Sequence, residues 1–198
     1  MAVSSSDPII IVGAGAFGLS AALHLSQRGY TDVSVFEKHP RIPSGDLTTV
    51  VHRAAQDAGV QFLLGQHVDE IVYVSTLTGR KNAGIRTRDG HFYPSSLVII
   101  ETGAGDNEAA VSDHLRAPDS LATPLSWYAN INLANPFVDY VPQESSVILL
   151  SGEQRQGSKM FSLVGSLVLD LLGATSDQPT TMDAQYLSEI LPPKLARL

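Results

Sequence analysis

Ile9-Ile-Ile-Val-Gly-Ala-Gly-Ala-Phe-Gly18 is the stretch whose reading decides the fold. Ile9 to Val12 form a continuous β-branched run, as expected of a strand buried on both faces of a parallel sheet. Gly13, Gly15 and Gly18 follow at once in the spacing G-x-G-x-x-G. In such a turn the first glycine permits the sharp bend and the second lets the backbone approach a pyrophosphate. The third lets helix and strand pack closely, which leaves the phosphates at the helix N-terminus. Glycines recur in many loops, so the string gains its weight from what surrounds it. Leu19, Ala22, Leu23 and Leu25 recur at helical spacing, Gly29 supplies a stop, and Val33-Ser-Val-Phe36 reads as a second strand. This is βαβ order within about 30 residues, the size of one such unit.

Glu37 stands at the end of the second strand, roughly 20 residues beyond the glycines, where a carboxylate can accept both hydroxyls of an adenosine ribose. A 2′-phosphate would be repelled there, which disfavours NADP and leaves NAD and FAD both open. The competing reading is an ordinary βαβ unit with Glu37 as a solvated charge. The predicted fold class is α/β, a Rossmann-type domain with a parallel sheet and a small antiparallel patch.

Working outward, residues 40–46 read as a Pro/Gly/Ser loop, 47–58 as a helix closed by Gly59, and 60–64 as a strand. Residues 67–75, 84–88 and 91–93 suggest the antiparallel patch, with Asp89-Gly90 as a tight hairpin signal. Leu97-Val-Ile-Ile100 is a further strand that runs through Glu101 into a second glycine turn, Thr102-Gly-Ala-Gly105. No clear period exists over 106–134, and no structure is assigned there. Residues 147–150 predict a strand, 158–172 a helix and 182–191 a weaker terminal helix.

The chain has 198 residues, enough for one good core, so a single domain over 1–198 is expected. Its 43% hydrophobic and 17% charged residues fit an ordinary soluble protein. The richest apolar run, 161–172, is short and carries Asp170, so no membrane span is expected. Residues 1–8 are polar and lack the features of a secretory signal, which points to an intracellular location. A net charge of -7 argues against nucleic acid or an anionic membrane as partner. The absence of cysteine excludes disulfides, thiolate metal sites and a cysteinyl link to a cofactor. His24, His39, His52, His67, His91 and His114 are scattered without metal-ligand spacing, so no metal is expected.

Four stretches, 9–38, 50–71, 97–104 and 136–172, resemble the D-amino-acid oxidase superfamily of flavoproteins. Within it they are most similar to the sarcosine oxidase and fungal fructosyl amino acid oxidase (amadoriase) branch. The most specific stretch contains Phe137-Val-Asp-Tyr-Val-Pro142, Ser146-Val-Ile-Leu-Leu150 and then Gly157-Ser-Lys159 opening a helix. The resemblance implies non-covalent FAD held by Gly13, Ala14, Gly15, Phe17, Gly18, Glu37, Lys38, Gly103 and Ser158, with the backbone of Val68 against the adenine. It implies that the 157–172 helix points its positive end at the flavin ring and that Lys159, the catalytic candidate, meets a substrate carboxylate. The implied reaction takes a hydride from the carbon beside an amine of a small amine or amino-acid substrate and passes the electrons to oxygen, giving peroxide. A tailoring step in fungal secondary metabolism would suit such an oxidase. Ala196-Arg-Leu198 is similar to the Ser-Lys-Leu peroxisomal address, so peroxisome or cytoplasm is the expected location.

The departures carry information too. Family members are considerably longer, and blocks are missing here near 43–46 and 115–123, so the substrate domain is largely absent. A partner chain or self-association is expected to cover what it leaves. Ser126 stands where the family has its flavin-linking cysteine, just before Trp127-Tyr128. Glu101 replaces the alanine of the family's "ATG" turn, and Glu153-Gln-Arg155 replaces small residues; a charge at either place would crowd the cofactor. Two alternatives to an active oxidase therefore stand beside it: an inactive FAD-binding module and a NAD-binding dehydrogenase.

Overall fold

A computed structural model of the chain describes residues 3–42, 46–76, 79–101, 122–124, 137–141, 146–151 and 157–174. In chain order the elements are β1 (Ile9–Val12), α1 (Ala16–Gln27), β2 (Val33–Glu37), α2 (Asp46–Asp57), β3 (Gln61–Leu64), β4 (Val68–Thr76) and β5 (Gly79–Thr87). There follow β6 (Phe92–Pro94), β7 (Leu97–Glu101), β8 (Ala122–Pro124), β9 (Phe137–Tyr140), β10 (Val147–Ser151) and α3 (Gly157–Leu171). They build a six-stranded sheet, β3-β2-β1-β7-β10-β9, and a four-stranded sheet, β6-β5-β4-β8. The first sheet is parallel apart from β9, which runs antiparallel to β10. The second is antiparallel throughout.

The two-residue period of a strand sorts the parallel sheet's side chains into two cores. Ile9, Ile11, Val33, Val35, Leu97, Ile99, Ile148 and Leu150 face the helices. Their neighbours Ile10, Val12, Phe36, Val98, Ile100, Val147 and Leu149 face the second sheet and meet Ile71, Tyr73 and Ile85. Strands with apolar residues on both faces are thereby buried on both, as the β-branched run at Ile9 predicts. The layers are helices, parallel sheet and antiparallel sheet. The α/β Rossmann-type reading, with its antiparallel patch, holds.

α1 is buried at every position from Ala16 to Leu25 because α2 and α3 cover the side turned away from the sheet. Small groups let α1 and α3 approach. Ser20 donates its hydroxyl to the carbonyl of Phe161 and accepts from the Gly165 amide at 3.0 Å. A Cβ on Gly165 would run into the His24 ring, whose Nδ1 lies 2.8 Å from the Ser20 carbonyl.

The elements predicted for 47–58, 60–64, 97–100, 147–150 and 158–172 occur within a residue or so of their expected bounds. The hairpin turn at Asp89-Gly90 is also present, with Gly90 at φ +88. Three features differ. β5 begins at Gly79 instead of residue 84, because Asn82 is buried and satisfied in place of an apolar residue. Its side chain donates to the carbonyl (3.1 Å) and hydroxyl (3.0 Å) of Ser95 and accepts from Gly84. β8 forms within the stretch that lacks a period, and β9 pairs with β10, a strand the alternation at 137–140 did not announce. Among the described residues no helix is long and apolar enough to cross a membrane. The predicted helix at 182–191, the tripeptide 196–198 and most of both missing-block regions lie outside the described residues.

Gly165→Ala is expected to overpack the α1–α3 contact and cost about 1–3 kcal/mol. In a chain of this size each kcal/mol lowers Tm by about 2–4 °C. Thermal unfolding followed by circular dichroism measures this; an unchanged Tm would contradict the contact.

Candidate dinucleotide site

From β1 the sheet grows to one side through β2 and β3 and to the other through β7 and β10. The carboxyl ends of β1 and β7 therefore flank a topological switch point, where open α/β sheets bind ligands. Gly13 leaves β1 at φ +105, and its amide donates to the Phe36 carbonyl at 2.8 Å. Gly18 packs so closely beneath it that an added Cβ would collide with the Gly13 carbonyl oxygen. These are the turn and the close helix–strand approach that the first and third glycines predict.

The loop amides have carboxylate acceptors. Ala14 N–H donates to Glu37 Oε2 at 2.9 Å, and Glu37 Oε1 accepts from the His39 amide at 2.9 Å. Glu37 is only 6% exposed, a burial that these two hydrogen bonds make tolerable. An ionised carboxylate offers about four lone-pair sites, so two remain for the ribose hydroxyls.

Glu101 supplies the second carboxylate. Val12 pairs with Ile100, which brings the next residue of β7 beside Gly13. From there the side chain reaches over the loop, and Gly15 N–H donates to Oε2 at 2.7 Å while Phe17 N–H donates to Oε1 at 2.9 Å. α1 has no side-chain cap of its own at Gly15 and no acidic residue in its first turn. Glu101 thus serves as its N-cap from a different strand, satisfying orphan amides and facing the positive end of the helix dipole.

The space left open at Gly15 is filled by the same carboxylate. A Cβ there would stand 2.5 Å from Glu101 Oε1 and 2.8 Å from Oε2. The fit to a dinucleotide therefore divides. The glycine geometry, the switch-point position and Glu37 suit one, whereas the Glu101 carboxylate sits on the amides that a pyrophosphate would use. As the site stands, the diphosphate does not fit.

The remaining predicted residues fall as follows. Phe17 is fully buried under the loop, and Lys38 is exposed beside Glu37. Val68 is buried at the start of β4, close to Glu37 along the chain path, since Gln66 N–H donates to the Glu37 carbonyl at 2.9 Å. Ser158 and Lys159 lie in the first turn of α3, which follows β10 at the carboxyl edge of the sheet. Their side chains, and Gly103, Ser126 and residues 153–155, lie outside the described residues. The alanine-to-glutamate departure at Glu101 was visible in the sequence, but its partners were not.

Comparison with known proteins agrees with this fold. The family model described as an NAD(P)-binding Rossmann-like domain matches residues 11–70. No curated protein matches the chain. Among solved structures, the deglycating fructosamine oxidase of Aspergillus fumigatus (Amadoriase II) is similar at a TM-score of 0.60 and 15% identity, covering 98% of this chain and 91% of that one. Fructosyl amine:oxygen oxidoreductase (Amadoriase I) of the same organism gives a TM-score of 0.59 at 13% identity, covering 100% and 92%. At such identities the likeness establishes a shared fold.

Gly15 has φ -73, a value any residue adopts, so its contact with Glu101 is what excludes a side chain there. Gly15→Ala should destabilise the protein yet become neutral or mildly stabilising in a Glu101→Ala background, a coupling of about 0.5–3 kcal/mol. Urea unfolding of the two single variants and the double variant measures it. Additive effects would remove the Glu101–loop contact.

Proposed function

We propose that this chain is a FAD-binding protein of amine-oxidase lineage, with the adenosine ribose at Glu37 and the dinucleotide crossing the 13–18 loop once the Glu101 carboxylate has left its amides. The observation that carries this reading is the architecture. A Rossmann sheet backed by an antiparallel sheet, the β9–β10 antiparallel edge and a helix opening at Gly157 occur together in a fold shared with two fructosyl amine oxidases. The chemistry such a cofactor supplies when bound is oxidation of a carbon–nitrogen bond, with the protein contributing position and electrostatics.

The chain's own residues support the binding half of the proposal. Glu37 keeps acceptor capacity for a ribose, and Gly13 and Gly18 let the loop bend and pack. β10 is parallel to β7, so α3 begins at the same sheet edge as the glycine loop, with the positive end of its dipole there. In this reading Lys159 anchors a substrate carboxylate and Ser158 assists the cofactor at that helix start. The substrate is a small amine or amino acid, and a second copy or a partner chain covers the ring-facing side. A NAD-binding dehydrogenase is the second reading, favoured by the match of residues 11–70 to an NAD(P)-binding family model.

The visible spectrum of purified protein after incubation with FAD and gel filtration tests the proposal. Flavin bands that co-elute with the protein, and that pass into the supernatant on acid precipitation, are expected of non-covalent FAD. Protein that retains no flavin but binds NADH by fluorescence titration would favour the dehydrogenase reading instead.

A further inference from the structure

We infer that the Glu101 carboxylate is a built-in competitor for the diphosphate subsite, so that a dinucleotide binds only when this side chain leaves the glycine loop. The inference rests on the proposed dinucleotide site and adds the residue that sets its affinity.

Three observations converge. Both carboxylate oxygens accept from loop amides, Gly15 at 2.7 Å and Phe17 at 2.9 Å, in the manner of a bound anion. The same oxygens fill the space above Gly15, and Oε2 also stands 2.8 Å from where a Cβ of Gly18 would lie, so the carboxylate nests into the cradle that the second and third glycines leave. Finally, the fold fixes the backbone position from which Glu101 reaches the loop. Glu101 is the last residue of β7; it pairs with Leu150 of β10, and its neighbour Ile100 pairs with Val12 of β1.

Two anions cannot share these donors. A diphosphate placed on the Gly15 and Phe17 amides would face a carboxylate within the same few ångströms, and like charges there oppose binding. Glu37 remains in place throughout, since its amide partners are Ala14 and His39. The apparent affinity is then the intrinsic one reduced by the fraction of chains in which the side chain has swung away. The loop amides stay satisfied in both states, first by protein and then by ligand.

The test compares wild type, Glu101→Ala and Glu101→Gln for binding of FAD, by quenching of flavin fluorescence, and of inorganic pyrophosphate, by the shift in Tm. Glu101→Ala should melt lower than wild type without ligand, having lost its cap. It should nonetheless bind FAD at least about tenfold more tightly, and gain a pyrophosphate-dependent rise in Tm that wild type lacks. Glu101→Gln, similar in shape but uncharged, should fall between. A folded Glu101→Ala that binds FAD no better than wild type and shows no pyrophosphate response overturns the inference, leaving Glu101 as a structural cap. The parent proposal fails separately. If no variant retains FAD while Glu101→Ala still responds to pyrophosphate, the subsite is real and the flavin assignment is wrong. Should Glu101→Ala prove too unstable to assay, the Glu101→Gln comparison with both probes decides in the same way.

Discussion

The first amides of α1 must find acceptors, and the region around the switch point is organised by that requirement. Water is a poor solution, because α1 is packed between the sheet and two other helices. No residue of the helix start supplies a side-chain cap. The acceptors come instead from the ends of two flanking strands, Glu37 of β2 and Glu101 of β7, which take the amides of Ala14, Gly15 and Phe17 between them. Helix start, first strand and both neighbours are thereby tied at one point. Without these carboxylates the tight approach of Gly18 to the Gly13 carbonyl would bury donors with no partner.

The same economy governs the layers. Alternation along β1, β7 and β10 makes one set of side chains the floor for the helices and the other the floor for the antiparallel sheet. The second sheet occupies the face that a crossover helix covers in a doubly wound fold. Asn82 ties it back to the parallel sheet. Its amide donates to the hydroxyl of Ser146, the residue just before β10, while its side chain holds Ser95 in the short link between β6 and β7. The strand ends at the opposite edge are left for the loop and its two acids.

Much of this was legible from local pattern. Ile9 to Gly18 gave strand, turn and helix from residue types alone, and Glu37 was placed by its distance along the chain. These are short-range facts, set by backbone sterics and burial. What stayed hidden was long-range or polar. Gly79 to Ala83 do not read as strand because a hydrogen-bonded asparagine, not an apolar side chain, fills the inward position. β8 owes its existence to a partner far away in sequence, β4, and β9 to its antiparallel pairing with β10, the strand that follows it. Glu101 could be flagged as an odd charge beside a glycine turn. Its reach to Gly15 became readable only once the register Val12–Ile100 was known.

That register also dictates an order of events as the chain forms. Phe17 and Glu101 are 84 positions apart, so the helix start receives its acceptor only after β7 has docked beside β1. A nascent N-terminal segment ending at β2 would hold α1 with part of its first turn uncapped, and short helices are marginal without such support. Closing a loop of this length must precede the reward of the contact, which belongs to the slow, non-local class of steps. The βαβ unit that announces the fold in the sequence is therefore not the unit that completes it. Its consolidation waits for a strand synthesised some sixty residues after β2 has ended, roughly seconds later at ordinary translation rates.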